Sequence, residues 1–240
     1  KSFASAEINF LKNISTTQKT KICFVLDVGP DSFGQLSGYN DDLVFAIREI
    51  VESQNLDLRI VETKFIYGPR MSLEKEDILT KMISSAVQKK SVKVSGSGDL
   101  KVNPTFVSDV VYAIGKSIFS SSTSGKIFSA ISGEEVSLIN LTSKVRDIFG
   151  DVEVRFVSSF LESDNLLKER AERGFERGDL RWSAKIDLET GLSQTFKYFK
   201  SKPKQVFNKP SAGVVYKNTI GKEPKKEQSM SNFLSNKLAK

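Results

Sequence analysis

The chain has 240 residues, no histidine and one cysteine, which removes the commonest general base and the commonest metal ligand together. Hydrolytic triads and zinc sites are excluded. Cys23 sits inside the apolar run KICFVLDV, where a thiol packs as a small, inert hydrophobe. A lone cysteine also rules out a disulfide within the chain. The stretch closest to an active-site loop is RIVETKFIYGPR, Arg59 to Arg70. Its Tyr67, Gly68 and Pro69 suit a turn at a strand end, because glycine tolerates positive φ and proline fixes its own. SGSG at 95 to 98 follows a short strand and reads as another turn.

The elements that must position these residues can be read from periodicity. SFASAEINFLKNI places Phe3, Ile8, Leu11 and Ile14 on one helical face. KICFVLDV is a continuous apolar run of the kind buried on both faces of a parallel sheet. DDLVFAIREIVESQ follows as a helix with Asp41 and Asp42 at its positive end, and LRIVETKFIYG is a second strand. Strand, helix and strand at this spacing make a βαβ unit. Beyond it, Ser72 to Lys90 is expected as a helix capped by Ser72, VSDVVYAIGKSIF as another, and VSLINLTSKVRDIFG as a third, capped by Ser137 and stopped by Gly150. SVKVS, KIFSAIS and VEVRFV read as strands, and Leu188, Leu192, Phe196 and Phe199 give the last helix an apolar stripe.

The net charge of +7 belongs to one end: residues 201–240 carry nine lysines against two glutamates, leaving 27 basic and 27 acidic residues in 1–200. This tail holds three of the six prolines and shows no long apolar period, so it reads as extended. It is either a solvated terminus or an arm lying on a partner protein or another acidic surface, anchored by Phe207, Val214, Val215, Tyr216, Phe233 and Leu234. Nucleic acid is disfavoured, because the tail lacks the interleaved aromatic and arginine residues that stack bases. No run approaches the ~18 apolar residues that a membrane span needs. The chain opens at Lys1 without methionine or a signal-type segment; with no disulfides, an intracellular location is favoured, and the product is expected to be processed or incomplete.

Four segments, in order, resemble the extended short-chain dehydrogenase/reductase family of nucleotide-sugar epimerases, dehydratases and decarboxylases. They are FIYGPRM at 65–71, GSGDLKVNPTFVSDVVYAI at 96–114, SGEEVSLINLTSKVRDIFG at 132–150 and LRWSAKIDLETGLSQTFKYF at 180–199. The resemblance implies an α/β fold: the remainder of a doubly wound Rossmann-type parallel sheet plus the smaller α/β substrate domain. Residues 1–70 would be the C-terminal part of the sheet, 71–200 the substrate-domain-like region with returning Rossmann elements, and 201–240 the basic tail. It further implies that the first four strands, with the GxxGxxG loop that cradles the dinucleotide pyrophosphate, are absent. No cofactor is therefore expected for this chain alone, and NAD only if another half supplies that loop.

The family's chemistry residues are matched one by one. Its catalytic Ser or Thr falls on Gly29, its tyrosine base on Tyr39, and the lysine four residues later on Leu43. A tyrosine without that cation keeps a pKa near ~10 and is a poor base at neutral pH. In the family's Arg-x-x-Asn-x-Tyr-Gly-Pro loop, Glu62 replaces the arginine and Phe65 the asparagine. Tyr67 and Arg70 remain as substrate-side candidates. The phosphate-binding arginine falls on Val102, with Lys101 adjacent but on the other face of a strand. Asp109, a helix-capping carboxylate in the family, and Trp182 are kept. Turns and core positions survive while polar groups are lost. The expected function is a catalytically degenerate relative serving as a structural or interaction subunit. The alternative is the substrate-binding half of an enzyme whose NAD-binding half lies upstream or on another chain. In either case KICFVLDV is left as an open apolar edge, to be completed by another protein chain or by missing upstream residues.

Overall fold

The computed structural model describes residues 3–14, 20–29, 39–74, 77–95, 98–150, 152–157 and 175–201, all inside one compact unit, Lys1–Pro203. The expected tail lies outside the described residues. The chain opens with α1 (Phe3–Lys12), β1 (Lys21–Asp27), α2 (Tyr39–Gln54) and β2 (Asp57–Thr63). β1 and β2 are parallel, with Lys21 opposite Asp57 and Asp27 opposite Thr63. Then follow β3 (Ile66–Tyr67), α3 (Ile78–Val87), β4 (Val92–Ser95), β5 (Lys101–Val102), β6 (Thr105–Phe106), α4 (Val107–Phe119), β7 (Lys126–Ser129), β8 (Val136–Ser137), α5 (Leu138–Phe149), β9 (Val154–Val157), β10 (Glu176–Arg177) and α6 (Leu188–Ser201).

The main sheet is wholly parallel, in the order β1-β2-β7-β10, with β7 and β10 returning to it from beyond residue 70. Alternation along β2 separates its two faces. Leu58 and Ile60 pack with Leu11, Leu43, Val44 and Ile47 of α1 and α2, whereas Val61 packs with Ala113 of α4 and Phe128 of β7. All three β2 residues are fully buried, each worth about 1.5–3 kcal/mol over exposure. A second core, built on Tyr67, Leu79, Met82, Ile83, Phe106, Leu138, Leu141 and Leu192, joins α3, α5 and α6 to the short strand pairs β3–β6 and β5–β8.

Four expectations are corrected. KICFVLDV is not buried on both faces: Val25 is 43% exposed, on a strand that stands at the edge of the sheet among the described residues. LRIVETKFIYG is not one strand. β2 ends at Thr63, Phe65 turns the chain at φ +47°, and Ile66–Tyr67 pairs with β6 instead of continuing in the main sheet. The helix expected from Ser72 begins at Ile78. Its cap is Asp77, whose carboxylate accepts from the Thr80 amide at 2.9 Å and the Thr80 hydroxyl at 2.8 Å, while Ser72 Oγ accepts from the Glu74 amide in a turn outside the helix. Asp109 does not cap α4, whose first residue follows Phe106 without any side-chain cap. The expectations for α5 hold: Ser137 Oγ accepts from the Asn140 amide, and Gly150 ends the helix at φ +97°.

Candidate functional site

In an open parallel sheet, ligands sit outside the carboxyl ends of the strands. Here those ends carry Asp27 and Gly29 after β1, Lys64 and Phe65 after β2, and Ser129 at the end of β7. Gly29 donates its amide to Asp27 Oδ1 at 3.0 Å. A Cβ at Gly29 would lie 3.2 Å from that same oxygen and 3.6 Å from Lys64 Cγ. The lysine stem therefore borders the position where a serine side chain would stand. Burial pushes the Lys64 ammonium below its ordinary pKa, and the negative charge of Glu135 opposes part of that shift. Its Nζ lies 5.9 Å from the centre of the Phe65 ring. Lys64 was not singled out from the sequence; the available signal was a lysine directly following an apolar strand.

Leu43 is 3% exposed and packs among Leu11, Ile47 and Leu58. At 3% exposure, a cation in its place would be held away from water. Tyr39 is the first residue of α2, and Leu43 lies one turn further into that helix.

The substrate-side candidates differ in exposure. Tyr67 is 1% exposed, donates its hydroxyl to the Leu188 carbonyl at 3.4 Å, and meets Phe106 edge-on at 5.5 Å between ring centres. Burial above all, helped by the charges of Glu134, Asp187 and Asp109, pushes its phenol far above the usual range. It is a core residue that presents no face to a ligand. Arg70 is exposed at φ +68° on the turn after it. Lys101 points out from β5 and meets Glu135 at 3.5 Å, while Val102 next to it is buried, as alternation requires. Phe65, standing for the family's asparagine, is 2% exposed in the second core. Its positive φ is a conformation that asparagine accepts easily and a bulky aromatic does not.

At the carboxyl end of β7 lies a cleft of about 720 Å³, bordered by Ser129, Ser132, Glu134, Trp182 and Asp187. Asp109 braces three of the lining residues, Trp182, Lys185 and Ile186. Its carboxylate accepts from the amides of Lys185 and Ile186 at 3.1 and 3.0 Å, and its carbonyl accepts from Trp182 Nε1 at 3.0 Å. Glu62, in the place of the family's arginine, is turned toward β10, where Arg177 meets it at 3.2 Å.

No protein-family model matches the sequence, and a search of curated proteins finds no match. Solved structures do. UDP-glucuronic acid 4-epimerase from Bacillus cereus, crystallised with UDP-glucuronic acid and NAD, superposes with a TM-score of 0.60 at 15% identity, over 82% of this chain and 66% of that one. The chain has the fold of the nucleotide-sugar epimerases. The UDP-glucose 4-epimerase of Thermotoga maritima gives 0.59 at 16% identity with the same coverage, and the Bordetella bronchiseptica enzyme WbmF, in complex with NADH, gives 0.59 at 18% identity over 82% and 63%. The chain thus spans less than two thirds of the length of those structures. Among the described residues, no helix is long and apolar enough to cross a membrane.

Proposed function

We propose that this chain is a catalytically degenerate relative of the NAD-dependent nucleotide-sugar epimerases and dehydratases, serving as a structural or interaction subunit of a larger assembly. The observation that carries the reading is the burial of Leu43. The residue standing where the lysine of the Tyr-x-x-x-Lys pair would stand is 3% exposed within a purely apolar cluster, and Gly29, in the hydroxyl's place, has no side chain to donate. Nothing in the sequence spells GxxGxxG, and SGSG falls in sequence at the end of β4 and before β5, two strands that pair outside the main sheet. The residues present therefore do not fit NAD in the family's manner. The chain holds no dinucleotide by itself, and no step of a hydride cycle is assigned to it.

The test is turnover. The purified chain, given NAD and UDP-glucose or UDP-glucuronic acid, is expected to form no oxidised or epimerised sugar; product above background overturns the reading. The second reading is a substrate-binding half whose NAD-binding half lies upstream or on another chain, and the shared length of 66% with the first structure favours it. It requires the chain to bind UDP-glucuronic acid without NAD, which titration calorimetry measures. The basic tail fits either reading as an arm on a partner protein. Deleting residues 201–240 is expected to leave residues 1–200 folded and to weaken attachment in a salt-dependent way.

A further inference from the structure

The carboxyl ends of β1 and β2 are held side by side. The Val28 amide donates to the Thr63 carbonyl at 2.8 Å, and Thr63 Oγ1 donates to the Leu26 carbonyl at 3.3 Å. The next residue on each strand is therefore set against its neighbour: Gly29 after β1 and Lys64 after β2. A Cβ on Gly29 would lie 3.2 Å from Asp27 Oδ1, 3.6 Å from Lys64 Cγ and 3.7 Å from the Phe65 nitrogen. One position thus touches both a carboxylate and the stem of a lysine, and glycine is the residue that keeps its own side chain out of it.

A lysine amine attacks a carbonyl carbon in its unprotonated form. Lys64 is half-buried, and that burial favours the neutral amine, with the charge of Glu135 opposing it. Among the described residues its ammonium meets no carboxylate at ion-pair distance. Glu135 is engaged by Lys101 at 3.5 Å, and Asp27 Oδ1 accepts from the Gly29 amide at 3.0 Å. The Phe65 ring, its centre 5.9 Å from Lys64 Nζ, borders the amine with apolar surface. Open parallel sheets hold small molecules outside the carboxyl ends of their strands, which is where this amine stands. The nearby charges of Asp27 and Glu135 disfavour an anion there, and the aromatic border suits a neutral molecule.

We propose that Lys64 captures a small neutral aldehyde as an imine at the carboxyl ends of β1 and β2. Nζ adds to the carbonyl carbon to give a carbinolamine; its C–O bond then breaks and a C=N bond forms. The carbonyl oxygen leaves as water with the two protons of the amine, one of them relayed by the Asp27 carboxylate. No dinucleotide and no oxidant take part, so the step is independent of the subunit reading above.

The full chain is incubated at neutral pH with propanal and sodium cyanoborohydride, which fixes an imine as a propylamine, and the modified lysines are located by peptide mass spectrometry. Lys64 is expected to be alkylated about tenfold faster than the surface lysines, and faster with propanal than with glyoxylate. Lys64→Arg should abolish the fast phase and leave the circular dichroism spectrum unchanged. Asp27→Asn keeps an acceptor for the Gly29 amide and should slow the reaction about tenfold at Lys64 alone. Labelling spread evenly over the lysines, or a fast phase that survives Lys64→Arg, overturns the proposal. A faster reaction with glyoxylate overturns the neutral ligand, and an unchanged rate in Asp27→Asn overturns the relay. The turnover assay with NAD and UDP-sugars reads none of these outcomes, so the two readings fail separately.

Discussion

Arg177 of β10 reaches Glu62 of β2 at 3.2 Å across the intervening strand β7. Glu62 has 9% of its side-chain surface exposed and Arg177 45%, so the arginine screens a carboxylate that water barely reaches. Glu62 thus has its own partner, 115 residues away in sequence. Arg177→Leu leaves that carboxylate unpaired and is expected to destabilise the fold by about 1–2 kcal/mol, discounted for the exposure of the arginine. Replacing both residues by leucine should cost less than the single change, because no buried charge is then stranded. Chemical denaturation of the three variants checks the order.

Asp109 is the hinge pin between α4 and the segment before α6. It is 5% exposed and satisfies two backbone amides, those of Lys185 and Ile186. Asp109→Ala strands both donors and is expected to cost roughly 2–4 kcal/mol, whereas Asp109→Asn keeps one acceptor oxygen and should cost less. Because Trp182 donates to the carbonyl of the same residue, loosening this wall of the cleft should shift tryptophan emission to the red for the alanine variant. Unchanged emission together with unchanged stability would contradict this account.

The parts of this fold that were legible in the sequence are those fixed by near neighbours. Ser137 and Gly150 bracket α5 as read, because a cap is a bond to the third residue on and a helix stop is a single positive φ. The parallel β1–α2–β2 unit followed from the length of its apolar runs. What escaped was set at long range. Asp109 looked like a cap because it lies in the first turn of a helix, yet its partners are 76 and 77 residues away. The strand through TKFIYG looked continuous because no glycine or proline interrupts it before Gly68, yet Phe65 adopts a left-handed backbone that no apolar pattern encodes. Lys64 drew no notice because its significance lies in its proximity to Gly29 on the neighbouring strand.

Lys64 gives a pH signature. Burial lowers its pKa in the folded chain below the ordinary 10.5, so the unfolded chain binds more protons in the window between the lowered value and 10.5. Stability should therefore rise with pH through that window, and the cost of holding the ammonium is fully present below it. Lys64→Met removes the cost. It is expected to raise the melting temperature at neutral pH and to flatten the alkaline rise relative to the unaltered chain. Parallel stability-against-pH curves for the two proteins would show that the lysine is solvated in the folded state.

Gly29 and Leu43 should respond in opposite ways to substitution. At Gly29, a serine Cβ meets only Asp27 Oδ1 at 3.2 Å and the flexible stem of Lys64 at 3.6 Å, and a rotation of either side chain relieves the contact. Gly29→Ser is expected to change stability by less than about 1 kcal/mol. Leu43→Lys removes a 3%-exposed leucine from an apolar cluster and forces an ammonium into it without a counter-charge, a loss of about 3 kcal/mol or more. For a unit of this size that corresponds to a fall in melting temperature of about 6–12 °C. Thermal denaturation of the two single variants decides the matter. If Leu43→Lys melts with the unaltered chain, α2 can turn this position toward water, and the burial that carries the proposed loss of catalysis is not obligatory.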